Sequence, residues 1–180
     1  RLYRSVGNTT GDISNSATVT ISGNTATFSA VQPDNVGVGD VVQYGATGYW
    51  DIAFITARAS STQYTVQSWN GGTPTATTTA AMDIYRAHYL LDDWEDQLEG
   101  DVNDDISGEV SNKVLVGQDL VASNTIMMVT CYGSTNGDTV SVGIAGWTTG
   151  ASNYIQVYTP VDSNEVGASQ RHNGEWDDSK

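Results

Sequence analysis

Any reaction chemistry in this chain would have to come from two histidines, one cysteine and a dense set of carboxylates. His88 and His172 share no spacing with each other or with Cys131 that would build a zinc site. Cys131 ends the apolar run 126–131, the setting of a buried, unreactive thiol rather than of a nucleophile. No G-x-S-x-G elbow is present, and His172 with Arg171 and Glu175 makes only a small polar surface cluster. The carboxylate pairs Asp92/Glu95 and Asp104/Asp105 read as a solvated face. The acid-dense segment 101–109, DVNDDISGE, has the hard oxygen ligands that calcium prefers. Taken as an EF-hand loop from Asp101, however, it places Ile106 where glycine is needed and Asn112 where the bidentate glutamate belongs. The expectation is a protein that is not an enzyme, with no metal and no other cofactor.

Charge narrows the partners. Of the net −14, residues 1–90 hold four basic and five acidic side chains, whereas residues 91–180 hold three and sixteen. A surface of that sign repels phosphate backbones, so no nucleic-acid partner is expected. No run approaches the roughly 18 apolar residues that cross a bilayer, so no membrane insertion is expected either. A single cysteine excludes an intrachain disulfide. The start at Arg1, directly on a strand-like alternation, suggests a processed N-terminus, and the Thr-, Ser-, Asn- and Gly-rich, lysine-poor composition suggests secretion.

Five tryptophans raise sugar stacking as a binding mode. Trp94 lies on an apolar helical stripe and Trp50 alternates with core residues. Trp69, Trp147 and Trp176 sit beside turns, and a carbohydrate-binding module would use those three.

The elements that would position these residues are nearly all strands. The exception is segment 84–100, IYRAHYLLDDWEDQLEG, where the apolar period changes from two to nearly four. Leu90, Leu91, Trp94 and Leu98 fall on one helical face, Asp92 and Asp93 occupy the first turn, and Gly100 is placed to stop the helix. This helix divides the chain. Residues 1–16 are a short strand, with Leu2, Arg4 and Val6 on one face, and a polar linker. Residues 17–86 offer five or six antiparallel strands, enough for a small barrel or sandwich. They include a hairpin over 17–30 turning at Gly23-Asn24 and a bend near Phe54. The threonine-rich run to Thr79 reads as a solvated connection or an edge strand. Residues 87–180 carry the helix, the acidic segment and three further strands at 126–131, 139–144 and 154–158. The fold class is therefore mainly β, two β-rich units joined by one short amphipathic helix.

The runs LLDDWEDQLEGD, LVASNTIMMVTCYGS, DTVSVGIAGWTTGASNYIQVYTP and RHNGEW resemble, across residues 84–176, the opening of bacterial secreted right-handed parallel β-helix proteins. The resemblance implies a Trp-bearing helix ahead of a first coil, so that the second unit would resemble that coil. A single coil cannot bury its own core, which implies further coils, capping by the first unit, or packing on another subunit.

These features together predict a secreted structural protein that self-assembles, such as a subunit of an extracellular filament. Its N-terminal strand, through Leu2, Tyr3, Arg4 and Val6, would add head to tail to the acidic half of the next subunit. The alternatives are a carbohydrate or cell-surface binding module and the N-terminal part of a larger β-helix protein.

Overall fold

The computed structural model describes residues 1–133 and 138–171. Nine strands are described: β1 (Leu2–Val6), β2 (Thr18–Ser22), β3 (Thr25–Phe28), β4 (Val41–Gly45), β5 (Asp51–Arg58), β6 (Gln63–Gln67), β7 (Thr77–Tyr85), β8 (Met127–Cys131) and β9 (Ile155–Tyr158). One helix, α1 (Leu91–Asp96), lies between β7 and β8.

Strands β2 to β7 close into an antiparallel barrel in the order β2-β3-β6-β5-β4-β7. The period-two pattern explains it. Val19 and Ile21, Ala26 and Phe28, and Tyr64 and Val66 all point inward and fill the barrel with Val42, Ala53, Ile55, Met82 and Ile84. The predicted hairpin forms with Ser22 opposite Thr25, and the bend in β5 is a register shift between Ile55 and Ala57. Strand β7 begins at Thr77 and pairs on both sides, with β2 and with β4. The end of the threonine run pairs with β2 alone, because the pairing with β4 begins at Ala81, so that stretch is an edge, as expected.

The outward residues of β4 and β5 are also buried. Val41, Ile52 and Phe54 join Tyr85, Ala87, Val102, Ile106, Val110 and Val114 in a second core, so the segment after α1 lies against the barrel wall. A third core gathers Val6, Trp94, Leu120, Met127 and Val129 beneath a parallel sheet of order β1-β8-β9.

Three expectations are corrected. The helix covers only six residues and ends at Gln97, whose φ of 52° is left-handed, while Gly100 falls in a following 3₁₀ turn. Leu98 is consequently off the apolar stripe and 59% exposed, although Trp94 is fully buried as expected. Residues 139–144 form no strand, because among the described residues no strand pairs with them; Val140 and Ile144 are exposed, 45% and 46%.

Candidate functional site

The parallel sheet brings together the two features that carry the functional argument: the slot that holds β1 and the outer edge of β9. Within this chain β1 pairs in parallel with β8, Leu2 opposite Met127 through Val6 opposite Cys131. Its other side meets the barrel unit. Ser5 N donates to Gly39 O (3.0 Å), His88 N to Ser5 O (3.1 Å) and Gly7 N to His88 O (3.1 Å). Gly39, at φ 89°, is required by this approach, since a Cβ there would collide with Thr130 Oγ1 and with the β1 backbone.

Arg4 is the centre of the slot. It is fully buried, and among the described residues it has no carboxylate partner. Four carbonyls replace one: Nε donates to Val114 O (2.5 Å), Nη1 to Tyr3 O (2.8 Å), and Nη2 to Trp69 O (3.0 Å) and Lys113 O (3.3 Å). Burial pulls the guanidinium down to about 9, so it remains protonated at neutral pH. Beside it stands a buried ion pair, Arg86 Nη1 to Asp40 Oδ1 at 2.5 Å, with the Arg86 guanidinium 3.5 Å from the Tyr132 ring centroid. Burial raises the Asp40 carboxyl, and Arg86 opposes that rise. His88 is fully buried as well. Burial lowers its pKa to about 4, against the opposing contact of Nδ1 with Asp101 O (3.0 Å).

Leu2 packs on the third core and Tyr3 is half-buried, while Arg4 and Val6 are buried. The sequence did carry one signal for the slot, an arginine between two apolar residues on the same strand face. The Arg86–Asp40 pair had none, since 45 residues of chain separate its members.

Beyond β8, the chain repeats its path one layer further out. Asp119 bridges in parallel to Thr148, Met127 pairs with Ile155, and Asn153 Nδ2 donates to Asn124 Oδ1 (3.3 Å). The partners are thus 28 or 29 residues apart at every point, and the two asparagines stack at the same corner. Strand β9 is the outermost layer among the described residues. It has one described neighbour, β8, and Tyr154 and Val157 beside and within it are 39% and 38% exposed.

The tryptophans separate. Trp69 is 45% exposed and borders two cavities. Trp147 stacks on Trp94, ring centroids 5.0 Å apart and 18° between planes, so its expected exposure beside a turn gives way to packing. Trp176 and His172 lie outside the described residues. Cys131 is a half-buried free thiol whose pKa burial pushes up, an unreactive setting. In the acidic segment, Asp105 Oδ2 accepts from Gly11 N (2.7 Å) and Tyr89 Oη (3.1 Å), tying the linker down. No cluster of three His, Cys, Asp or Glu that could hold a metal occurs among the described residues, and no helix there is long and apolar enough to cross a membrane.

Comparison with protein families, with curated proteins and with solved structures returns no match for this chain.

Proposed function

We propose that this chain is a secreted structural element that starts a parallel β-solenoid: the barrel caps the first layer, and the β9 edge receives the next parallel strand. One observation carries the reading. The path from residue 119 to 130 is laid down again 28 or 29 residues later, in parallel and with matching corners, and its outer layer presents a half-exposed edge. An antiparallel sheet can end in polar, twisted edges, but a parallel layer of this kind is stabilised by stacking on another. The function is mechanical rather than catalytic.

Head-to-tail self-assembly through Leu2, Tyr3, Arg4 and Val6 is the second reading. It is favoured by the parallel polarity of the sheet, because a β1 strand added to β9 would repeat the pairing that β1 makes with β8. That route requires β1 to leave its own slot, with loss of every Arg4 contact, and so ranks below the first. A carbohydrate reading rests on Trp69, since one face of the partly buried Trp147 is taken up by stacking on Trp94.

The test has two arms: the coding sequence downstream of Lys180, and light scattering with electron microscopy of the 180-residue chain. Further segments of 20–30 residues with the same apolar spacing would support the solenoid. A stop codon together with regular filaments would support self-assembly. A stop codon with dispersed monomers would overturn both.

A further inference from the structure

We infer that the cleft around Trp69 binds a neutral, β-linked oligosaccharide of glucopyranose type. Trp69 follows β6 at the seam between the barrel and the solenoid layer, with its side chain 45% exposed. Trp69 lines a cavity of about 280 Å³ with a polar wall that includes Asp51, Asn70, Thr73, Thr75 and Lys113. It also lines a second cavity of about 210 Å³ with an apolar wall that includes Leu2, Leu115, Val116 and Leu120. Asn70 lines both as well, and each is close to the lower end of a small-ligand site, about 300 Å³.

The chemistry of the walls matches the two sides of a pyranose. A sugar with all its hydroxyls equatorial presents flat faces of axial C–H groups, which stack on an indole, and a rim of hydroxyls, which need both donors and acceptors. The rim is supplied by Asp51 and Lys113. Lys113 Nζ donates to Asp51 Oδ1 (2.9 Å) and Thr75 Oγ1 to Asp51 Oδ2 (2.5 Å). Asp51 Oδ1 also accepts from Ile52 N (2.9 Å) and is fully used, but Oδ2 has a further lone pair and the ammonium has two further N–H donors. Burial raises the Asp51 carboxyl, but the hydrogen bonds from Thr75 and Lys113 outweigh it and hold the group below its ordinary range. It is therefore an anion at neutral pH, and in a chain of net charge −14 it disfavours acidic sugars. The two cavities that share Trp69 make room for consecutive sugar units.

The cleft is preorganised, which lowers the entropy lost on binding. Trp69 O is held by the buried Arg4 guanidinium, Gly71 N donates to Ser68 O (3.0 Å), and Ser68 Oγ donates to Asn70 Oδ1 (2.7 Å). Thr73 Oγ1 donates to Asn24 Oδ1 (3.1 Å), fastening the loop to the β2–β3 turn.

Titration calorimetry with cellotetraose and chitotetraose tests the site. One of the two binds with a dissociation constant on the order of 0.1–1 mM, and Trp69→Ala weakens it at least about tenfold. Asp51→Asn, which keeps the shape of the rim, weakens it about fivefold and stands in for Trp69→Ala should that variant fail to fold. Tyr49→Ala, which removes an aromatic that is 86% exposed and lines neither cavity, leaves binding unchanged. Binding of neither sugar at roughly 10 mM, binding that survives both cleft substitutions, or preferred binding of tetragalacturonate would each overturn the assignment.

Discussion

The guanidinium carbon of Arg4 lies 3.6 Å from the centroid of the Phe54 ring, so the fourth residue of the chain sits on the outer wall of the barrel. The contact joins β1 to β5 and places a cation where four carbonyls converge. Arg4→Met keeps the stem but leaves those carbonyls without their donors, and costs about 3 kcal/mol in urea unfolding. In a double-mutant cycle, Arg4→Met and Phe54→Leu show a coupling of about 1 kcal/mol. Additive losses would mean that the carbonyls alone hold Arg4.

Gly39→Ala should act on the same strand from the other side. The added methyl meets the β1 backbone and strains a positive φ, so about 2 kcal/mol or more is lost. Amide exchange locates the damage: the Ser5 and Gly7 amides lose protection, while those of the β2–β3 hairpin retain it.

The buried histidine gives the molecule an acid-sensitive joint. The His88 pKa is about 4 in the folded chain against an ordinary 6.5, so the unfolded chain takes up the proton first. Its contribution is complete above about 6.5 and is lost as pH falls towards about 4, amounting to about 3 kcal/mol. Asp93 and Asp101, whose carboxyl pKa values burial raises, act in the opposite sense and gain stability on acidification. The informative quantity is thus the difference between the wild type and His88→Gln, followed by urea unfolding from pH 7 to 4.5. A constant difference across that range would rule the mechanism out.

Trp147→Ala removes one half of the stacked pair over α1 and opens a cavity in the third core. The expected loss is about 3 kcal/mol, confined to the parallel sheet and the core beneath it. Hydrogen exchange should quicken in β8 and β9, with the barrel strands unaffected.

The barrel was legible because its information is local. Val19 and Ile21, the Gly23-Asn24 turn, and Ala26 and Phe28 declare a hairpin within a dozen residues, and the alternation continues to Ile84. The helix was legible in kind but not in length. Gln97 is captured by tertiary contacts, its Nε2 donating to Trp94 O (2.5 Å) and its Oε1 accepting from Val116 N (2.7 Å), and this ends the helix before Leu98 can join the stripe. The segment 139–144 alternates as a strand does, yet it has no strand partner; the chain just beyond it is held to α1 by Ala145 N donating to Glu95 Oε1 (2.7 Å). Of the β1 slot only Arg4 between Leu2 and Val6 was legible, because the partners, Gly39, His88, Val114 and Met127, are scattered through the sequence.

The pairing of Leu2 with Met127 also fixes an order of events in folding. Strand β1 leaves the ribosome well before the strand it pairs with, which follows more than a hundred residues later, so it docks late. The barrel, whose hydrogen-bonded neighbours are closer in sequence, closes meanwhile. Docking of β1 is thus a late checkpoint. A chain that has inserted Arg4 has already built the barrel wall, the segment after α1 and β8, and a slow phase in refolding, abolished with Arg4→Met, would be its kinetic signature.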